Sequence, residues 1–494
     1  MGRKFVLVGM LFGDEGKGTF VDYLAYKYDV RQIIRYNGGS QASHTVTTPE
    51  GIVHKFSQLG SGMFKEEANA YLSSNMVVNP CDLIEEVRQF SLKTNLSPKT
   101  VLSRIFIDEK CYIVTPYHKF MNHLRELGKG NERRGSVGSG VSEVRTLLRE
   151  KNLLGKGLGV QMKDLYDRKF LYQRLEELYY CVFKFYKDNK DMILRNMPDN
   201  IWANLQNEIE FLTDYKSINY ILCNYLGLVL ENNFRLFSEI QSVLQEDKNI
   251  IFEASQGLLL DENYGLKPNT TILDTTIKNA LSIIDIVEEK NGCDLKSKES
   301  QEGNFIQGKT TKIGITKAFS SRHGLGVFPT EDAELNACIS DLNQEESFWN
   351  GKIRFGWFDA VLVRYAQAIN QVDELYLSSV DRLSSFKTLK ICDKYLYTGV
   401  VDDDFKTIFE YEQINNDIII VNIKESHKNI SKYLIQCKPI YTELDGWNED
   451  ISMVREKEQL PNNCLRYICQ IENLTTVKVS TISVGPTRTG KVLM

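Results

Sequence analysis

The sequence predicts an α/β protein built on a large, mostly parallel central sheet flanked by helices. Three observations carry this. Short β-branched runs recur between longer helical patterns, and they are apolar on both faces, as strands covered by helices on each side must be. A glycine-rich turn follows the first such run and leads into an apolar-periodic segment, giving the order strand, loop, helix. Only 10 Pro occur in 494 residues, without internal repeats or a Pro/Ser-rich linker, which favours one continuous architecture over residues 1–494 rather than beads on a string.

Taken in order, the expected strands are KFVLVG (4–9), RQIIRY (31–36), NIIFEAS (249–255), ELYLSSV (374–380) and VKVSTISVG (477–485). Between them, the stretch 163–245 is rich in Leu, Tyr, Phe, Glu and Lys at three- and four-residue spacing, as in LYQRLEELYYCVFKFY. That period predicts a helical insertion. The polar, Gly/Ser-containing stretch at about 288–309 reads as an exposed loop.

Composition narrows the function. Hydrophobic residues make up 42% and charged residues 25%, with a formal net charge of -5. This is the profile of a globular chain with a sizeable core, and it argues against general affinity for nucleic acid or an anionic membrane. No apolar run reaches the roughly 18 residues of a membrane helix, and the first strand starts near residue 4, so a cytoplasmic protein is expected. The 10 Cys contain no CxxC, and the nearest pair, Cys464 and Cys469, has no His close by in sequence. Reduced thiols fit better than a zinc site.

The first turn, FGDEGKGTF (12–20), poses a problem. Backbone N–H groups and a helix N-terminus hold phosphate in such turns, yet Asp14 and Glu15 sit among the glycines. The pattern is not G-x-x-x-x-G-K-[ST], because Leu11 and Gly18 occupy its required positions. A turn needing only flexibility explains Gly13, Gly16 and Gly18, but not Asp14, Glu15 and Lys17. A carboxylate beside phosphate is accounted for if it binds Mg2+ or acts as a base.

These residues resemble the N-terminal signature W-G-D-E-G-K-G-K of the adenylosuccinate synthetase family, with Phe12 and Thr19 as departures. The resemblance continues along about residues 4–491. NGGSQASHTV (37–46) is similar to G-G-x-N-A-G-H-T and keeps His44. ERRGSVGSGVSEVRTLLR (132–149) resembles G-T-T-G-R-G-I-G-P, with Ser136 as the surviving hydroxyl. IFEASQGLLLD (251–261) is similar to E-G-A-Q-G-x-L-L-D and carries Gln256. NTTILDTT (269–276) places Thr271. SSRHGLGVFPTE (320–331) resembles S-T-R-V-G-A-G-P-F-P-T-E. FWNGKIRFGWFDAVLVRYA (348–366) lies where the family has an arginine-rich loop, thinned here to Lys352 and Arg354. SSVDRL (378–383) and SVGPTRTGK (483–491) complete the series.

The resemblance implies a fold related to P-loop NTPases and a ligase joining L-aspartate to C6 of a purine nucleoside monophosphate. Oxide is a poor leaving group, so O6 is first phosphorylated by a nucleoside triphosphate, and aspartate then displaces phosphate. In that reading Asp14 is the N1 base and, with Ser43, a Mg2+ ligand, and His44 stabilises the transferred phosphoryl group. Gly13, Glu15, Gly16, Lys17, Gly18, Asp381, Ser483 and Gly485 would bind the triphosphate. Asp14, Gln41, Ser136, Gln256 and Thr271, with Arg145 or Arg149, would bind the monophosphate. Lys352 and Arg354 would clamp aspartate. IMP is the favoured acceptor and GTP the favoured donor, in a cytoplasmic homodimer.

Two alternatives stay open. RHG, DRL and GPTR resemble the phage and archaeal aminodeoxyadenylosuccinate synthetase branch, which uses dGMP with ATP or dATP, although that branch has Ser where this chain has Asp14. Ser379, in place of the usual Lys before x-Asp381, also leaves ATP open as donor. The other alternative is a catalytically silent nucleotide-binding or regulatory homologue.

Overall fold

The computed structural model describes residues 2–130, 135–150, 157–245, 247–289, 310–340, 349, 351–425 and 428–494. Its spine is a ten-stranded sheet. Numbered in chain order, these strands are β1 (Lys4–Gly9), β2 (Gln32–Arg35), β3 (Asn69–Leu72), β4 (Ile105–Asp108), β5 (Arg235–Phe237), β6 (Ile250–Gly257), β7 (Thr310–Lys317), β8 (Glu374–Ser378), β9 (Val479–Ser483) and β10 (Lys491–Leu493). The spatial order is β10-β9-β8-β7-β1-β6-β2-β3-β4-β5, and every pairing is parallel except β9–β10 at one edge.

The expected strands all lie in this sheet, and β1 shows why their sequences lack alternation. Val6 and Val8 pack into one core, while Phe5 and Leu7 pack into another on the opposite face. The second core is closed by helix α1 (Lys17–Lys27), which buries Phe20, Val21, Leu24 and Ala25 at helical spacing. Burying each of the larger side chains contributes about 1.5–3 kcal/mol, so α1 is pinned against β1 and the turn between them has little freedom.

Helices α2 (Pro116–Gly128) and α3 (Val141–Arg149) precede the helical stretch expected over 163–245. That stretch holds α4 (Arg168–Arg195), α5 (Trp202–Thr213) and α6 (Ser217–Asn232), whose buried Leu, Ile and Tyr share one core with α2. The helical period ends earlier than expected. Arg235–Phe237 is β5, which pairs with β4 at the sheet edge, and three residues are too few for the period to register. The expected loop at about 288–309 lies outside the described residues from 290 onward.

A second sheet is absent from the sequence expectations. It comprises Phe358–Asp359, Thr388–Tyr397, Phe409–Ile414, Asp417–Ile423 and Cys437–Asp445. Several of its strands are half-exposed, and their mixed polarity hides them from a search for continuous apolar runs. Among the described residues, no helix is long and apolar enough to cross a membrane.

Candidate active site

The site groups gather where parallel strands end, at the carboxyl edge of the sheet, which is where open α/β sheets bind ligands. The loop after β1 is the centre. Gly13 and Asp14 have φ of 86° and 51°, and Gly16 caps α1 with φ 81°. Left-handed backbone suits glycine and is tolerated by Asp; holding a non-glycine residue there costs on the order of 1–3 kcal/mol and is typical of functional turns.

The two acids part company. Asp14 turns toward the strand Ser320–His323, its Oδ2 lying 2.8 Å from Nε2 of His323. Burial pushes its carboxyl up, but His323, with Lys317 and Lys17 behind it, outweighs that and holds the pKa at about 2. Glu15, expected at the triphosphate, is turned inward and buried. The Leu11 N–H donates to its Oε1 at 2.5 Å, and Lys17 Nζ lies 3.3 Å from its Oε2. The carboxylate fits only because residue 9 is glycine, since a Cβ there would meet Glu15 Oε2 at 2.1 Å. Glu15 therefore anchors the loop and neutralises Lys17. Burial raises its pKa, opposed by Lys17 and the Leu11 N–H.

His44 is buried, opening the hairpin strand His44–Thr47. Its Nδ1 lies 2.5 Å from Glu253 Oε1, and its Nε2 lies 3.0 Å from the Ser255 carbonyl oxygen. Burial pulls the His44 pKa down, and the Glu253 carboxylate opposes it. Glu253 also accepts from the Ser61 N–H at 3.0 Å and from the Ser61 hydroxyl. Arg35 stands opposite Glu253 in the β2–β6 register and donates to the Leu59 carbonyl and the Ser255 hydroxyl. Gly18 makes the close approach of α1 possible, because a Cβ there would lie 2.8 Å from His44 Cβ.

Beside this loop is a cavity of about 540 Å3, within the range of small-molecule sites. Gln41, Ser136, Gln256 and Thr271, four of the expected monophosphate residues, line it together. Gln41 Oε1 and Nε2 and Gln256 Oε1 are buried without partners, and unpaired buried amides mark a ligand site. The Ser136 hydroxyl donates to Asn122 Oδ1 at 2.9 Å. Arg145 and Arg149 do not line this cavity. Arg145 donates to the Asn75 carbonyl at 2.8 Å, and Arg149 pairs with Glu262, with Nη2 at 2.7 Å from Oε2. Their helix, α3, presents them away from it.

Of the expected aspartate clamp, Arg354 has Nη1 at 2.7 Å from Glu331 and donates from Nη2 to the Gly326 carbonyl, while Lys352 is exposed. Arg354 lines an adjoining groove rather than the cavity itself. At the other end, Thr19 donates to the Pro486 carbonyl at 2.9 Å, tying α1 to the turn after β9 that contains Gly485. The Ser483 hydroxyl donates to the Gly485 carbonyl. Asp381 is raised in pKa by burial. Nearby Lys491 donates to the Thr487 carbonyl at 2.7 Å and is pushed down to about 7 by burial.

Glu253, Arg35, Lys317 and His323 carry no site assignment from the sequence. Glu253 and Arg35 read as ordinary strand residues, and only the alternation break of a charge in an apolar run could have marked them. Among the described residues, no three His, Cys, Asp or Glu side chains form a metal cluster. Mg2+ in nucleotide-using sites is held through one or two carboxylates plus substrate phosphates. The ionised Asp14 is a suitable hard oxygen donor, with the exposed Ser43 beside His44 as the second expected ligand.

A helix-capping glycine turn, a paired lysine and a polar cavity at the ends of parallel strands define a nucleotide-using α/β enzyme. Residues 6–492 match the adenylosuccinate synthetase family. The adenylosuccinate synthetase of Chlorobium chlorochromatii (strain CaD3) is 30% identical over 485 residues, spanning 98% of this chain and 95% of that one. The Bacillus subtilis (strain 168) enzyme is 28% identical over 488 residues, spanning 98% and 96%. In structure, the chain superposes on fully ligated adenylosuccinate synthetase from Plasmodium falciparum with TM-score 0.73 and 21% identity, covering 99% of each chain. It also superposes on cyanophage S-2L succinoaminodeoxyadenylate synthetase bound to dGMP and dATP, with TM-score 0.53 and 13% identity, covering 100% of this chain and 95% of that one. The chain belongs to the adenylosuccinate synthetase family and is a carbon–nitrogen ligase.

Proposed function

We propose that this protein joins L-aspartate to C6 of a purine nucleoside monophosphate, with IMP as acceptor and GTP as phosphate donor. One observation carries the reading: the unpartnered amides of Gln41 and Gln256 line one cavity together with His323, whose Nε2 lies 2.8 Å from the ionised Asp14.

In the mechanism, Asp14 takes the N1 proton of the acceptor, and the electron pair shifts onto O6. That oxygen attacks the γ-phosphorus of the triphosphate and the nucleoside diphosphate leaves. The aspartate amine then adds at C6, loses its proton, and inorganic phosphate departs. Gln256 orients the 6-oxo group, while Gln41, Ser136 and Thr271 hold the monophosphate, with Arg145 or Arg149 reaching it from the partner subunit of a homodimer. Lys17 and the Gly13, Gly16 and Gly18 amides hold the triphosphate, and Asp381, Ser483 and Gly485 hold its base. To meet the transferred phosphoryl group, His44 Nε2 exchanges its Ser255 contact for a phosphoryl oxygen, with Glu253 keeping Nδ1 fixed. Arg354, with Lys352, binds the carboxylates of aspartate, a task suited to a guanidinium fork. Bound at Asp14 and Ser43, Mg2+ would neutralise charge on the phosphates. The protein would work as a single domain in the cytoplasm.

A second reading, dGMP with ATP or dATP, draws on Ser379 beside Asp381, which leaves the donor base without a lysine cover, and on the ligands of the cyanophage relative. One experiment separates the two. IMP, GMP and dGMP are each incubated with GTP or ATP, with and without aspartate, and products are identified by mass spectrometry. The proposal expects a succinyl adduct from IMP that requires aspartate. An adduct from dGMP alone would replace the acceptor, and phosphate release independent of aspartate would refute the ligase mechanism for this chain.

A further inference from the structure

We infer that His323 is a positioning residue for Asp14, fixing which carboxylate oxygen faces the acceptor. The inference rests on the reading of Asp14 as the N1 base. His323 ends the strand Ser320–His323, which pairs antiparallel with Ile353–Gly356 and sets His323 opposite Ile353. This hairpin follows β7 and brings the imidazole back over the loop after β1. Its Nε2 lies 2.8 Å from Asp14 Oδ2, a close contact between ring nitrogen and carboxylate. The side chain bearing the base springs from left-handed backbone, φ 51°.

Buried polar atoms are usually paired. Here Nδ1 is buried without a partner, and the ring lines the same cavity as Gln41, Gln256 and Thr271. One edge of the ring grips the base, and the other is left for what enters the cavity. With Oδ2 held, Oδ1 is the oxygen left to meet N1. The family motif S-T-R-V-G has valine where this chain has His323, so a valine variant removes the contact with little change of shape at the hairpin.

The test is steady-state kinetics of His323→Val and His323→Gln with purified full-length protein. Losing the grip on a base costs on the order of tenfold to a hundredfold in kcat. KM for triphosphate and aspartate should stay within about threefold, because only the transition-state geometry changes. Gln places an amide nitrogen near the imidazole Nε2, so His323→Gln should recover most of the rate. Undiminished kcat in His323→Val, or equal impairment of both variants, overturns the inference. A second measurement needs no turnover. The 15N imidazole signals of selectively labelled protein should shift at His323 in Asp14→Asn, and an unmoved His323 signal also overturns it. Absence of aspartate-dependent product in the wild type would sink the functional reading separately, and the labelled imidazole would then decide the pairing.

Discussion

Glu253→Gln is the sharpest probe of how the site is held. Glu253 is fully buried, its Oε1 lies 2.5 Å from His44 Nδ1, and it accepts from both the N–H and the hydroxyl of Ser61. Burial raises its pKa, but Arg35, His44 and Ser61 more than compensate, taking it from an ordinary 4.5 to about 2. A pKa difference of that size corresponds to about 3 kcal/mol of stability at neutral pH. Removing one member of a buried charged cluster independently suggests about 3–5 kcal/mol, because the buried Arg35 loses the carboxylate charge opposite it. The sign follows from the depressed pKa. The contribution is present above 4.5 and is lost as pH falls toward 2. Thermal and urea unfolding of wild type and Glu253→Gln at pH 7 and at stepwise lower pH should show a gap of a few kcal/mol that narrows below pH 4.5. The variant should also lose kcat, since His44 Nδ1 is no longer anchored. A variant as stable as wild type at pH 7, or a gap that stays constant down to pH 2, would refute the reasoning.

Three further outcomes are expected. Asp14→Asn tolerates the left-handed backbone and should keep the fold, yet lose about 10²–10⁴-fold in kcat, read as product formation per folded enzyme. Gly18→Ala forces a Cβ to 2.8 Å from His44 Cβ. It should lower stability by about 1–3 kcal/mol and displace His44, seen as loss of turnover and a lower melting temperature. Lys17→Met leaves buried Glu15 without its cation and should destabilise by about 3–5 kcal/mol. Adding Glu15→Gln should restore much of the melting temperature without restoring activity, and a double variant as unstable as the single would sink the pairing argument.

Much of the site is legible in the sequence because its elements are contiguous. The strand Phe5–Gly9, the turn through Gly18 and the first turns of α1 form one run, so residue type and spacing report the local backbone directly. Gln41, Ser136, Gln256 and Thr271 were each marked by short motifs, and the fold brings them to one cavity. Arg145 and Arg149 sat in such a motif too, but their direction depends on which face α3 presents, which a motif does not encode.

By itself the sequence determined the α/β class, five of the ten strands of the main sheet (β1, β2, β6, β8 and β9, but not the central β7) and the family, since apolar periodicity and local motifs depend on near neighbours along the chain. Only the tertiary structure decided that Glu15 turns inward to serve Lys17 while Asp14 turns to His323. It likewise joined His44 to Glu253 across 209 positions and set His323 against Asp14. Burial patterns state that a face is covered, but crossover connections choose what covers it. A charge's partner, and hence its pKa and its chemistry, is fixed only once distant strands lie side by side.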